Sequence, residues 1–166
     1  MDEWRRLRLR ARSADELGSD LRWAEAQASD LLIRLWADGD LRACAWVTRR
    51  TIAVGGRETR VAGVRGVMTD PAYRRRGYGR AVMERAHELI RSFPDCEFGL
   101  LFSSVMAVPF YEALGWRRVA GPVMCDQPDG PLDYTGRFPQ APIMALMRDR
   151  ASPPPQGAID ALGLPW

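Results

Sequence analysis

Three features of the sequence predict a mixed α/β (α+β) domain. Alternating apolar runs separated by glycine turns between Leu31 and Val67 read as an antiparallel meander. A glycine-punctuated, arginine-rich junction from Val67 to Arg80 then joins the end of a strand to the start of a helix. Beyond it a strand-helix-strand order repeats. The 166 residues, 46% hydrophobic and 27% charged, suit one globular domain with a real core, taken as residues 1–150, followed by a Pro-rich tail at 151–166.

Each element has its own signal. Leu7 and Leu9 suggest a short first strand. Ser13-Ala14-Asp15-Glu16 is a capping box for a helix whose apolar stripe is Leu17, Leu21, Ala24 and Ala28. The apolar run Leu31 to Trp36 ends at Asp38-Gly39, a hairpin turn signal, and Leu41, Ala43, Ala45 and Val47 alternate along the strand that follows. A bend is expected at Arg49-Arg50, before the run Thr51 to Val54, the Gly55-Gly56 turn and a strand through Val61, Val64 and Val67. Val82, Met83, Ala86, Leu89, Ile90 and Phe93 recur at helical spacing until Pro94. Phe98 to Phe102 reads as a buried strand. Ser104 is a candidate cap for the next helix, Pro109 fits its first turn, and Gly115 stops it. Trp116 to Val119 and Ile143 to Met147 pair as last strands across a long Pro-, Asp- and Gly-rich connection of the kind that is usually functional or mobile. The tail runs from the stiff Pro153-Pro154-Pro155 to an apolar Ile159, Leu162, Leu164, Pro165 and Trp166, which leaves its docking onto the domain open.

Composition excludes several chemistries. All 24 basic residues are arginine, so a lysine Schiff base and a Walker-type phosphate loop are ruled out. With His87 the only histidine, a zinc site of several His ligands is excluded, and its mid-helix position reads as packed or solvated. Cys44, Cys96 and Cys125 are odd in number and far apart, so they suggest buried small hydrophobes, with no disulfide framework and no metal. The first residues lack a signal-peptide core and no run reaches membrane-span length, so a cytosolic protein without membrane association is expected. A net charge of +3, with arginines interleaved among 21 acids, argues against a nucleic-acid partner.

The junction carries the chemistry. In Val67-Met68-Thr69-Asp70-Pro71-Ala72-Tyr73-Arg74-Arg75-Arg76-Gly77-Tyr78-Gly79-Arg80, Gly77 and Gly79 remove Cβ atoms where backbone must approach a ligand. The orphan N–H groups and dipole of the helix start favour an anion such as a pyrophosphate, and Arg75, Arg76 and Arg80 place charge at its rim.

These residues resemble the GNAT N-acetyltransferases, whose acetyl-CoA motif reads Arg/Gln-x-x-Gly-x-Gly/Ala after a valine-rich strand. Arg74-Arg75-Arg76-Gly77-Tyr78-Gly79 fits it. A second family element, a helix reading Phe-Tyr-x-x-x-Gly-Phe/Trp, matches Phe110-Tyr111-Glu112-Ala113-Leu114-Gly115-Trp116. The resemblance covers Leu31 to Met147. It implies the GNAT acyl-CoA N-acyltransferase fold, a mixed, mostly antiparallel sheet splayed at the acetyl-CoA site with helices on both faces. It also implies acetyl-CoA as cosubstrate, with backbone groups of Val67, Met68 and Thr69 on the pantetheine and the stretch Arg74, Arg75, Arg76, Gly77, Tyr78, Gly79 and Arg80 on the pyrophosphate. Tyr111 matches the tyrosine that commonly protonates the departing thiolate, since a phenol of pKa about 10 is protonated at neutral pH. Ser104 stands where many relatives carry Asn, so a hydrogen bond to pantetheine is a weaker expectation there. A strand N–H near Met68 or Thr69 is the natural donor to the thioester carbonyl.

For the acceptor, the spacing of these motifs looks most like the aminoglycoside 2′-N-acetyltransferase branch, with the enhanced-intracellular-survival acetyltransferases similar through Tyr73-Arg74-Arg75-Arg76-Gly77. That resemblance implies a small amine substrate, and it makes the terminal carboxylate at Trp166 a candidate base or amine anchor. Arg65 departs from the branch, where a glutamate contacts the substrate, and its guanidinium suits a carboxylate on an amino acid or peptide instead. Asp126, Asp129 and Asp133 are the remaining acids expected near the acceptor, with turn formation as their ordinary role. A non-catalytic acetyl-CoA-binding module is the alternative, and a homodimer is left open.

Overall fold

The structure, a computed structural model, describes residues 3–11, 22, 27 and 30–166. The helix expected from the Ser13 capping box lies outside the described residues. The first described element overturns an expectation, because Leu7 and Leu9 belong to helix α1 (Glu3–Ala11) and not to a strand. Leu7 is fully buried against Leu41 and Cys44, whereas Leu9 is 64% exposed. Trp4, Leu7 and Ala11 form the inward stripe at helical spacing, with Arg5, Arg6, Arg8 and Arg10 exposed around it.

The meander follows as β1 (Leu31–Ala37), β2 (Asp40–Val54) and β3 (Arg57–Thr69), joined by tight turns at Asp38-Gly39 and Gly55-Gly56. All four turn residues have positive φ, the condition for a two-residue hairpin whose twist matches its strands. The bend expected at Arg49-Arg50 is absent. β2 runs through it unbroken because its pairing with β3 continues without a register shift from Trp46 to Val54, with β1 beside its first half and β9 beside its last two residues.

Helix α2 (Tyr78–Ser92) crosses over to β4 (Phe98–Phe102), which lies parallel to β3. A short 3-10 turn at Val105–Ala107 leads into α3 (Val108–Glu112), and Gly115, with φ of 88°, ends that segment. β5 (Arg117–Arg118) pairs antiparallel with β8 (Ile143–Met147), as expected of the last strand pair. The long connection between them is not a loop. It folds into a hairpin of β6 (Val123–Gln127) and β7 (Gly130–Asp133) and a turn of helix, α4 (Tyr134–Arg137). The tail does dock. β9 (Ile159–Asp160) inserts between β2 and β6, giving the order β5-β8-β4-β3-β2-β9-β6-β7 with β1 beside β2.

Two cores flank this sheet. On one face Met83, Ala86 and Ile90 of α2 pack on Val47, Ala62, Val64, Leu101 and Leu146, and Val82 packs on Ala43 and Ala45. Gly99 permits the contact, because a Cβ there would stand 2.9 Å from Ile90 Cδ1. On the other face Ile52, Val61, Leu100, Ile143, Ile159, Tyr134 and Trp166 form the second core, with α1 covering Leu41 and Cys44 nearby. The three cysteines are buried and unpaired, and burial pushes the Cys44 thiol to about 11. Among the described residues no helix is long and apolar enough to cross a membrane.

Candidate active site

The sheet opens between β3 and β4. Their parallel pairing runs from Val61 with Phe98 to Val64 with Leu101 and stops there, although β3 continues through Thr69. Two local features drive the strands apart. On β3, Gly66 and Val67 stand against Ala45 alone on β2, so the pairing slips by one residue. Gly66 adopts φ of 56°, and its missing Cβ leaves Trp46 room, since a Cβ would lie 3.2 Å from the indole Cδ1. Beyond the end of β4 the Ser103 N–H donates to the Pro142 carbonyl (3.1 Å), which draws that arm toward β8. Val67 packs on the α2 side and Met68 against the α1 cluster. Their side chains serve the core while, among the described residues, this backbone edge of the fork has no neighbouring strand.

The arginine-rich turn sits at the mouth of the fork. Asp70 anchors it by accepting from Ala72 N–H (3.1 Å) and from the Arg42 guanidinium (3.1 Å), with Arg10 also at 3.1 Å. Burial alone would raise the Asp70 pKa, but the hydrogen bonds and the two arginine charges outweigh it and hold the carboxyl below its ordinary value. Tyr73 is stacked against Tyr78 with centroids 6.0 Å apart, carries Arg42 and Arg76 over its ring at 4.1 and 4.7 Å, and donates to Asp38 (3.1 Å). Arg74 donates to the Ala11 carbonyl at the end of α1 (3.4 Å), and Arg80 faces Glu84 at 3.7 Å. Arg75 is exposed and makes no ion pair among the described residues.

Gly77 is the N-cap of α2, with φ of 84° and no side-chain capping bond. Nothing lies within 4 Å of its missing Cβ, so this glycine is required by its backbone angle and not by crowding. The first helical bond joins Ala81 N–H to the Gly77 carbonyl (2.9 Å), so the N–H groups of Tyr78, Gly79 and Arg80 precede the ladder. Gly79 is the crowded one. A Cβ there would meet Thr69 Oγ1 at 3.1 Å and Phe110 at 3.5 Å, which brings strand end, helix start and α3 together.

Tyr111 lies in the same buried cluster as Val64 and Leu101, the last pair before the fork. It is 8% exposed, edge-on to Phe110 and Trp116, and its hydroxyl has no hydrogen-bond partner among the described residues. Burial pushes its phenol up to about 12, so it holds its proton throughout the neutral range. Ser104 does not cap with its side chain as expected. Its carbonyl does the local work, accepting from Ala107 N–H (3.1 Å) and from the Ser103 hydroxyl (2.8 Å).

A model of the family described as "Acetyltransferase (GNAT) domain" matches residues 9–119. The chain belongs to this family. Among curated proteins none matches it in sequence. Among solved structures, the ribosomal-protein-S18-alanine N-acetyltransferase of Escherichia coli aligns with TM-score 0.55 at 22% identity, over 89% of this chain and 86% of its own. The E. coli GNAT family N-acetyltransferase YhbS, solved in complex with CoA, aligns with TM-score 0.51 at 12% identity, over 75% and 62%. An acetyltransferase of Trypanosoma brucei is 29% identical with TM-score 0.47, over 54% and 63%. The chain thus spans less than two thirds of the length of the last two. The fold is the GNAT one, a mixed sheet with helices on both faces.

In this GNAT chain the residues expected at the acceptor do not form one group. Arg65 is turned to the face away from α2, where its guanidinium pairs with Asp30 (3.0 Å) and lies 5.6 Å from the Trp46 ring. Trp166 packs on that same face, its indole over Gly63 and edge-on to Phe102. Asp126, Asp129 and Asp133 are exposed on the distant β6–β7 hairpin. Asp133 caps α4 by accepting from Gly136 N–H and the Thr135 hydroxyl, both at 2.8 Å, which hold its carboxyl below the ordinary range. Asp129 sits in the hairpin turn, and the Asp126 N–H donates to the Gly163 carbonyl (2.8 Å).

Sequence reasoning missed Gly66, Asp70, Asp30, Arg42 and Arg50. Gly66 carried a readable signal, an isolated glycine inside a strand pattern. The charged residues carried none, because their partners come from elements far apart in the chain.

Proposed function

We propose that this GNAT chain transfers the acetyl group of acetyl-CoA to a primary amine of a small molecule. One observation carries the reading. A sheet fork that ends at Val64 and Leu101 has the uncapped start of α2 at its mouth and a buried, protonated tyrosine beside its apex. Membership of the family supports the identity of the acyl donor.

The residues present fit acetyl-CoA. The N–H groups of Tyr78, Gly79 and Arg80, with the positive end of the α2 dipole and the exposed Arg75, suit a pyrophosphate. The backbone of Val67, Met68 and Thr69 suits the amides of a pantetheine arm laid along it like an added strand. Acetyl-CoA supplies an activated thioester carbon. In the transfer the amine nitrogen bonds to that carbon as the carbon–sulfur bond breaks, the sulfur receives the Tyr111 proton, and the nitrogen gives up one proton to solvent. The phenol, pushed up to about 12, is a weaker acid than a thiol of pKa about 8.5, so this transfer runs uphill by itself and is completed as solvent returns a proton to the tyrosine.

Aminoglycosides lie at the polycationic end of this acceptor class and amino acids or peptide N-termini at the other. Calorimetric acetyl-CoA binding, paired with thiol release across such a panel, tests the proposal. Saturable binding with acceptor-dependent release is expected. Binding without release on any amine would leave a cofactor-binding module and end the enzymatic reading.

A further inference from the structure

Opposed residues of antiparallel strands share a face, so the register of β2 and β3 sets Trp46 beside Arg65, Thr48 beside Gly63 and Arg50 beside Val61 on the side away from α2. This patch reaches the fork, since Trp46 abuts the bulge at Gly66. Among the described residues, a buried polar atom of Trp166 and one of Asp30 lack a hydrogen-bond partner there. One is Nε1 of Trp166, a residue 4% exposed, which occupies the space a side chain at Gly63 would fill. The other is Oδ1 of Asp30, on a side chain 2% exposed, whose Oδ2 is held by Arg65 (3.0 Å) and by Gln27 N–H (2.9 Å). An orphaned buried donor and acceptor on one surface are uncommon and suggest a ligand that completes them.

A second arginine stands beside these atoms. Arg50 is half-buried, lies 4.8 Å over the Trp166 ring and donates to the Leu164 carbonyl (3.2 Å). It has no carboxylate at ion-pair distance among the described residues. Burial lowers its pKa, Asp30 opposes that shift and Arg65 adds to it, so the three charges share one field. Among the described residues Arg50 thus stands without a carboxylate partner beside an indole N–H that lacks an acceptor.

We propose that the acceptor is a primary amine that also carries a carboxylate, as an α-amino acid does, with Arg50 and the Trp166 indole holding the carboxylate and Asp30 Oδ1 receiving the ammonium. A guanidinium offers the planar fork that a carboxylate takes, an indole N–H donates only, and a carboxylate oxygen accepts from ammonium. A polycationic amino sugar would bring its charges against Arg50. The inference rests on the acetyltransferase reading above and deepens it by naming the acceptor.

The test measures thiol release from acetyl-CoA with matched acceptors, α-amino acids against their carboxamides and decarboxylated amines, with acetyl-CoA binding followed by calorimetry. The acids are expected to show kcat/KM roughly ten- to a hundredfold higher than their amides. Arg50→Gln and Trp166→Phe should each shrink that ratio toward one at unchanged acetyl-CoA affinity, and Arg50→Lys should retain part of it. Trp166→Phe keeps an aromatic ring in the core, so it reports even if Arg50→Gln does not fold. Equal or better use of the amides, a ratio unmoved in both variants, or acetyl-CoA binding with no turnover of any acid overturns the carboxylate assignment. Failure to bind acetyl-CoA overturns the underlying acetyltransferase reading, and the calorimeter reports it before any acceptor is added.

Discussion

The two faces of the central sheet are built on opposite rules. Toward α2 the packing is apolar and regular, and its buried polar contact is local in kind. Trp116 Nε1 donates to His87 Nε2 at 2.9 Å, joining α2 to the end of the α3 segment. Away from α2 the face combines Arg50, Arg65, Asp30, Trp46 and Trp166, with polar atoms left unmatched and contributions from both ends of the chain. The first face holds a rigid fork and a protonated phenol. The second holds the Arg65–Asp30 pair beside Arg50, which has no carboxylate at ion-pair distance among the described residues. On the proposed reading, the donor is held by exposed backbone over a packed core, whereas the choice of acceptor falls to side chains on the opposite face.

Tyr111→Phe probes this contrast with the largest expected effect. Loss of the proton donor should lower kcat by about a hundred- to ten-thousandfold at unchanged acetyl-CoA affinity. The hydroxyl has no hydrogen-bond partner among the described residues, so the melting temperature should not fall. Equal rates in steady-state thiol release would show that the α2 face contributes no chemistry. On the other face, Gly63→Ala places a methyl group where the Trp166 indole lies and should destabilise the protein by up to about 3 kcal/mol, read by denaturant unfolding. Its acceptor turnover should suffer more than its acetyl-CoA binding, and parallel losses would make the two faces one unit.

The third effect is a pH dependence confined to the α2 face. Burial lowers the His87 pKa from 6.5 to about 4, with Arg91 and Arg150 adding to the shift, and the bond from Trp116 needs the neutral ring. The unfolded chain therefore binds more protons between these values. The stabilisation is complete above about pH 6.5 and drains away as pH falls toward 4, on the order of 3 kcal/mol in all. Melting curves of His87→Gln should lack that part of the acid sensitivity, and an identical pH profile would refute the assignment. Smallest is Gly77→Ala, which forces a side chain into φ of 84° at a cost of about 1 kcal/mol and should weaken acetyl-CoA binding measurably by calorimetry.

Much of the fold was legible because its signals are local. The hairpin turns at Asp38-Gly39 and Gly55-Gly56, the apolar stripe of α2 and the glycines of its start each follow from neighbouring residues. Reading failed where periodicity was short or where partners lay far away. Two leucines spaced by two residues in α1 fit a strand or a helix, and only burial against Leu41 and Cys44 selects the helix. The Pro-rich connection after β5 looked like a loop because its hairpin is stabilised by β9, itself distant in the chain. The acids Asp126, Asp129 and Asp133 looked available until their positions on that hairpin were fixed.

The amino-acid sequence by itself determined the family, the turn at the start of α2 and the position of Tyr111, because each is encoded in contiguous residues whose backbone preferences are intrinsic. Tertiary structure alone decided that Gly66 bulges to open the fork, that Asp70 anchors the arginine-rich turn, and that Asp30, Arg50, Arg65 and Trp166 meet on one face. The physical reason is that long-range burial and charge pairing depend on which strands become neighbours, and β2 touches β1, β3 and β9 only once the chain has closed upon itself.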